Sequence, residues 1–73
     1  MAEQASDLKK LITVATDLGL AAKLRTKAIE LIGDMGNHEA LLALLSLVAS
    51  EQLTKREREF ALKYAREIVK SER

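Results

Sequence analysis

The chain repeats its own residue pattern after 33 positions, and each copy has the apolar spacing of two helices. When residues 7–32 are superposed on residues 40–65, the identical pairs are Leu8/Leu41, Leu11/Leu44, Leu20/Leu53, Arg25/Arg58 and Ala28/Ala61. A repeat of about 20–50 residues is typical of supersecondary units stacked side by side. Such arrays usually present a binding surface rather than a reaction centre. The pattern therefore predicts an interaction protein, but it does not identify the partner.

Apolar residues recur at helical spacing in the first half of the chain, which predicts two helices there. Residues 1–5 are expected to form a loose lead-in, and Ser6 or Asp7 is expected to cap the first helix. Gly19 is expected to end this helix in the left-handed conformation that glycine adopts most easily. The second helix is predicted to run from about residue 21 or 22 to about residue 32 or 34.

Two further helices are predicted in the second half. Gly33 and Gly36 bracket the turn that precedes them, and Asn37 is a good cap for the third helix, at about 38–50. That helix is apolar nearly all round, so it needs cover on more than one side. The segment 54–57 reads Thr-Lys-Arg-Glu, which has the spacing of a capping box and predicts the start of the fourth helix.

Residues 25–45 carry a family resemblance. They read Arg-x-x-Ala-x-x-Leu-Ile-Gly-Asp-Met-Gly-Asn-His-Glu-Ala-Leu-x-x-Leu-Leu, which resembles the HEAT-repeat family. The pattern is most similar to the short HEAT-like repeats of phycobilisome-lyase-type proteins, and the similarity covers about residues 7–69. The resemblance implies that Arg25 and Arg58 bond within or between repeats. Glu57 departs from the family pattern, in which a valine usually precedes the arginine.

This resemblance implies an all-α fold. Residues 1–73 would form a single domain, with repeat one at about 7–36 and repeat two at about 37–70. Each repeat would be an antiparallel helical hairpin, and the two hairpins would stack in a short right-handed HEAT-like array. A closed four-helix bundle is the alternative, because so short an array hardly curves.

Composition excludes several classes of protein. With 48% hydrophobic and 32% charged residues, the chain is too apolar for disorder and too charged for a membrane span. It has no cysteine and one histidine, so disulfides are excluded and a metal site has no support. The formal net charge of +1 gives no overall attraction to nucleic acid or lipid. We therefore expect a soluble, cytoplasmic protein with no membrane partner.

The apolar third helix is the best indication of a protein partner. If packing of the two repeats does not hide its outer side, Leu42 and Leu47 contribute to an exposed apolar patch of the kind that marks an interface. The predicted function is therefore a non-catalytic protein-interaction or scaffolding module. Pairing of two copies into a homodimer, which would cover the ends of the array, is left open.

Charge is asymmetric near the C-terminus. Thr54–Arg73 contains seven basic and four acidic residues, and Lys55, Arg66 and Lys70 could share one helix face. These residues are the candidates for binding a partner by charge. The alternative function is a nucleic-acid-associated module that uses this basic helix. It is the less favoured interpretation, because the chain's two aromatic residues lie on the apolar stripe and not among the basic residues.

No catalytic constellation is recognisable. The acidic pairs Glu30/Asp34 and Glu57/Glu59 are expected on exposed helix surfaces, where nothing raises a carboxyl pKa for acid–base work. His38 is expected to be a surface or capping residue, because no second histidine or cysteine supports a metal. We therefore predict no enzymatic activity, no catalytic residue, no metal and no cofactor.

Overall fold

Four α-helices make up the part of the chain that the structure describes. The computed structural model describes residues 2–71, with side chains from residue 7 onward. The helices, in chain order, are α1 (Ala2–Ala15), α2 (Ala22–Met35), α3 (His38–Val48) and α4 (Lys55–Ser71). No strand occurs between residues 2 and 71, so the all-α prediction is confirmed. None of the helices in this part is long and apolar enough to cross a membrane.

The inner helix ends of each copy, on either side of the loop between its two helices, follow the repeat of the sequence. The first helix ends at Ala15, and the third ends at Val48, the counterpart of Ala15 in the second copy of the repeat. The second helix begins at Ala22, and the fourth begins at its counterpart, Lys55. The internal repeat is therefore also repeated in the structure at these two inner boundaries.

Side-chain caps fix the helix starts in the second half, as predicted. The Asn37 side chain accepts a hydrogen bond from the Ala40 N–H at 2.8 Å, which satisfies a free amide in the first turn of α3. Before α4, Thr54 Oγ1 accepts from the Glu57 N–H at 3.1 Å, and Glu57 Oε1 accepts from the Thr54 N–H at 3.0 Å. This reciprocal pair is a capping box. Gly36 ends α2 with φ of +64°, in the left-handed region that favours glycine.

Several local predictions are wrong. Helix α1 begins at Ala2, so Ser6 and Asp7 lie inside it and do not cap it. The residues before them are mostly strong helix formers, which explains the longer helix. Gly19 does not take up a positive φ, because its N–H instead bonds to the Asp17 side chain at 2.9 Å in a local turn. Helix α3 ends at Val48, before residue 50.

The second helix lies at the centre of the packing. It contacts α1, α3 and α4, while α3 also packs against α4. The largest fully buried side chains are Ile29 and Ile32 on α2 and Leu44 and Leu47 on α3. Full burial of a side chain of this size stabilises a fold by about 1.5–3 kcal/mol. These two helices therefore supply most of the core, and α3 is covered from two sides, as its apolar sequence requires.

A glycine allows the close approach of α2 and α4. Gly33 lies within α2, although the sequence predicts that it marks the end of this helix. A Cβ atom at Gly33 would lie 2.7 Å from Tyr64 Cγ and 2.9 Å from Tyr64 Cβ, so the Tyr64 side chain occupies that space. The Tyr64 ring also meets the Phe60 ring edge to face, with 5.0 Å between their centroids. The two aromatic residues thus take part in helix packing.

Candidate partner-binding groove

A shallow apolar groove runs between α3 and α4. It has a volume of about 360 Å³ and is lined by Leu41, Leu45, Leu62, Ala65, Arg66, Val69 and Lys70. Leu45 and Val69 are 45% and 48% exposed, although both are large apolar residues. Exposed apolar side chains that adjoin one another beneath a polar rim are a feature of many protein-interaction sites. We refer to these seven residues as the α3–α4 groove.

The structure brings together two of the predicted partner-binding residues. Arg66 and Lys70 are exposed and are the charged residues that line the α3–α4 groove. Leu42 is 52% exposed and lies one helical turn before Leu45, outside the groove lining. Lys55 is exposed at the first position of α4, about 16 Å along the helix from Arg66 at a rise of about 1.5 Å per residue.

The prediction that Leu47 contributes to an exposed patch is wrong. Leu47 is 2% exposed and belongs to the core. Because the helix turns by about 100° per residue, Leu47 and Leu45 point in directions about 160° apart. One of these two leucines can therefore be buried while the other remains exposed on the same helix.

Sequence reasoning missed Leu45, Leu62 and Val69 as groove residues. The internal repeat relates one of them to a core position of the first repeat, because Leu62 is the counterpart of Ile29. Ile29 is fully buried, while Leu62 is only partly buried. The same position is thus covered in the first repeat and open in the second.

The outer side of α4 carries charges of both signs. Lys63, Arg66 and Lys70 surround a second depression together with Glu59 and Glu67. The last two residues of the basic segment lie outside the described part of the chain. A nucleic-acid-binding protein needs a basic stripe that follows the phosphate backbone. The alternating charges on this face do not favour that function.

A buried ion pair connects the two repeats. Arg25 Nη2 lies 2.8 Å from Glu57 Oε2, and Arg25 Nε donates to the same oxygen at 3.0 Å. Arg25 Nη1 donates to the backbone carbonyl of Leu20 at 2.7 Å. Arg25 therefore bonds both within its own repeat and to the next one. Glu57 is only 4% exposed, so the expectation that it is a surface acid is wrong.

The environment of Glu57 keeps its carboxylate ionised. Burial alone would raise its pKa, because it disfavours the charged form. Hydrogen bonds from Thr54 and Arg25, with the positive charge of Arg25, outweigh that effect and lower the pKa below its ordinary value. A carboxylate held in this state stabilises structure and is not poised to exchange a proton.

The second arginine of the repeat, Arg58, has a different environment. Arg58 is the counterpart of Arg25, and each is the fourth residue of its helix. Arg58 is partly buried, and its Nε is buried without a hydrogen-bond partner among the described residues. A buried donor without a partner is costly, and most native structures avoid it.

His38 and Tyr64 are two further titratable side chains with different surroundings. His38 is exposed at the first position of α3, and among the described residues no cluster of three His, Cys, Asp or Glu side chains could hold a metal. Burial raises the pKa of Tyr64, and the nearby carboxylates of Glu30 and Asp34 raise it further. Tyr64 therefore stays neutral at physiological pH, in keeping with its packing role.

Comparisons with known proteins give no relative. No protein-family model matches this chain, and neither a curated protein nor a solved structure matches it. The α3–α4 groove, the buried ion pair and the unpartnered Arg58 Nε are therefore the observations from which function is inferred.

Proposed function

We propose that this chain is a non-catalytic protein-interaction module that binds a partner helix in the α3–α4 groove. The observation that carries this proposal is the groove itself, in which Leu45 and Val69 remain about half exposed beside two cationic side chains. An amphipathic helix laid into an apolar groove is a recurrent mode of protein recognition. The apolar residues by which such a helix binds recur every three or four positions. They therefore form one stripe along the helix, which can lie in a groove between two other helices.

The scaffold proposed for this function is a two-repeat HEAT-like stack of antiparallel hairpins. The matching helix ends of the two repeats support it, as do the contacts of α2 with both helices of the second repeat. A closed up-and-down bundle would instead place α1 against α4. Among residues 2–71, the extensive contacts of α1 are with α2 alone, which favours the open stack.

The test begins with a selection experiment on the whole chain. A displayed library of amphipathic helical peptides, each of five to six helical turns, is selected against the wild type. The Kd of each selected peptide is measured by fluorescence anisotropy. The same peptides are then measured against Leu45→Glu and against Leu24→Glu. Leu24 is a matched control, because it is a leucine of similar exposure on α2, outside the groove.

We expect Leu45→Glu to raise the Kd at least about tenfold. The change removes an apolar contact that the peptide would bury, and it introduces a charge into the interface. Leu24→Glu should leave the Kd unchanged. Peptides that bind both variants as tightly as the wild type, or that are weakened equally by both, would contradict the proposal.

A further inference from the structure

The internal repeat indicates what kind of partner helix the groove accepts. We propose that the partner presents a carboxylate from its first helical turn to Arg58, in the way that Glu57 is presented to Arg25. This inference rests on the proposed function and adds the chemistry of the ligand. Its site is Arg58 together with the α3–α4 groove.

The first step is the equivalence of the two arginines. Both occupy the fourth position of their helix in corresponding copies of the repeat. Arg25 is buried and Arg58 is partly buried. Arg25 has its carboxylate partner in Glu57, at 2.8 Å. Among the described residues, no carboxylate forms an ion pair with Arg58 as Glu57 does with Arg25. Arg25 also bonds Glu57 through Nη2, and the terminal nitrogens of Arg58, unlike its buried Nε, are the atoms that a partner's carboxylate can reach.

The second step is the surface that continues from Arg58. Leu62 lies one turn after Arg58 on the same side of α4, as Ile29 lies one turn after Arg25 on α2. Ile29 is fully buried, whereas Leu62 lines the groove. The surface of α2 that the second repeat covers therefore has an uncovered counterpart on α4, and Arg58 stands at its beginning.

The third step is charge complementarity. The charged residues that line the groove, Arg66 and Lys70, are both cationic, and Arg58 adds a third positive charge one turn before Leu62. Matching charges across an interface fix its register and disfavour wrong partners. The partner that fits is an amphipathic helix with an apolar stripe and a glutamate in its first turn, spaced Thr-x-x-Glu as Thr54 and Glu57 are here.

A second copy of this chain is a poorer occupant. A copy stacked in the same register would place Leu24 opposite Arg58, because Leu24 is the counterpart of Glu57 in the first repeat. It would also place Leu31 opposite Arg66, where the first interface has Tyr64 packed on Gly33. Each contact would set a leucine against a guanidinium group and leave the Arg58 guanidinium without a carboxylate acceptor.

The experiment uses the full chain and two matched peptide libraries. Both libraries encode amphipathic helices of five to six turns with random apolar positions. One library has Thr-x-x-Glu in its first turn, and the other has Thr-x-x-Gln. We expect the glutamate library to yield the tighter binders. The best glutamate peptide and its Glu→Gln version are then titrated against the wild type and Arg58→Gln in a double-mutant cycle.

We expect the peptide change alone and Arg58→Gln alone each to raise the Kd about 10- to 30-fold, because each leaves a charge without its partner. The two changes together should cause little further loss. Losses that multiply would overturn the inference, as would equal yields from the two libraries. Arg58→Lys, which keeps the charge but lacks the planar fork, should give a smaller loss.

Two controls keep the test decisive. Circular dichroism checks that each variant is folded. If Arg58→Gln does not fold, Arg58→Lys replaces it in the double-mutant cycle. Peptides that require Leu45 but are indifferent to Arg58 would overturn this inference and leave the proposed function standing. Light scattering that shows a dimer dissociated by Leu45→Glu would overturn it in favour of a second copy as the occupant.

Discussion

The carboxylate of Glu57 binds Arg25 through one oxygen and caps α4 through the other. Arg25 Nη2 lies 2.8 Å from Oε2, while Oε1 accepts the Thr54 N–H at 3.0 Å. The residue that caps the start of the last helix is therefore also the residue that holds this helix against α2. Formation of α4 and docking of the second repeat are coupled through a single side chain.

Removing the charge of Glu57 should destabilise the fold strongly. In Glu57→Gln the amide oxygen can still accept the Thr54 N–H, so the main loss is the ion pair, and Arg25 is left buried without a counter-charge. We expect the free energy of unfolding to fall by roughly 3 kcal/mol, measured by urea denaturation. The double variant Arg25→Met/Glu57→Gln should recover part of that loss, because no unpaired charge stays buried. No recovery in the double variant would contradict this account.

The ion pair should also give stability a defined dependence on pH. The pKa of Glu57 is lower in the folded chain than the value of about 4.3 expected in the unfolded chain. Its contribution is therefore fully present above about pH 4.3 and is lost as the pH falls through the folded pKa, since the unfolded chain binds the proton first. The difference in free energy of unfolding between wild type and Glu57→Gln should shrink as the pH is lowered from 6 to 2.5. A difference that stays constant would contradict the prediction.

The contact between Gly33 and Tyr64 should reverse the usual effect of replacing a helix glycine. In an exposed helix, Gly→Ala stabilises by about 1 kcal/mol. Here the added methyl group would lie 2.7 Å from Tyr64 Cγ, so Gly33→Ala should destabilise by about 1–3 kcal/mol. In a Tyr64→Gly background both the ring and the Cβ of residue 64 are gone, and the same change should become neutral or stabilising. Thermal unfolding of the four proteins measures this sign reversal, and its absence would refute the close contact.

Two leucines that stand two residues apart on α3 should respond differently to truncation. Leu47 is buried in the core and Leu45 is exposed in the groove. Leu47→Ala should cost about 2–5 kcal/mol of stability, because it removes buried methyl groups and leaves a cavity. Leu45→Ala should change stability by no more than about 0.5 kcal/mol. Chemical denaturation of both variants checks the assignment, and a large loss at Leu45 would show that its surface is already covered.

Local signals in the sequence predict much of the helix framework. Asn37 and the Thr54–Glu57 box are short-range hydrogen-bonding patterns whose partners lie within three residues, so they can be read without tertiary information. Gly36 likewise adopts its left-handed φ for a local reason, the end of α2. The prediction for Gly19 fails because the Asp17 side chain offers its N–H a competing partner two residues away.

The candidate site could be predicted only in part, because it depends on contacts between helices. Spacing brings Arg66 and Lys70 onto one face, and the groove contains both. Spacing cannot decide which leucines of an all-round apolar helix are covered, so the prediction for Leu47 fails. The role of Glu57 escapes sequence reasoning for the same reason, since its partner Arg25 lies 32 residues away in the chain.

The most direct test of the α3–α4 groove is methyl NMR of the chain labelled at its leucine and valine side chains, titrated with a selected helical peptide. We predict that the methyl signals of Leu45, Leu62 and Val69 shift, while those of Leu24 and Leu31 on α2 stay in place. Shifts at Leu24 and Leu31 with unchanged groove signals would contradict the account, because the peptide would then occupy a different face of the molecule.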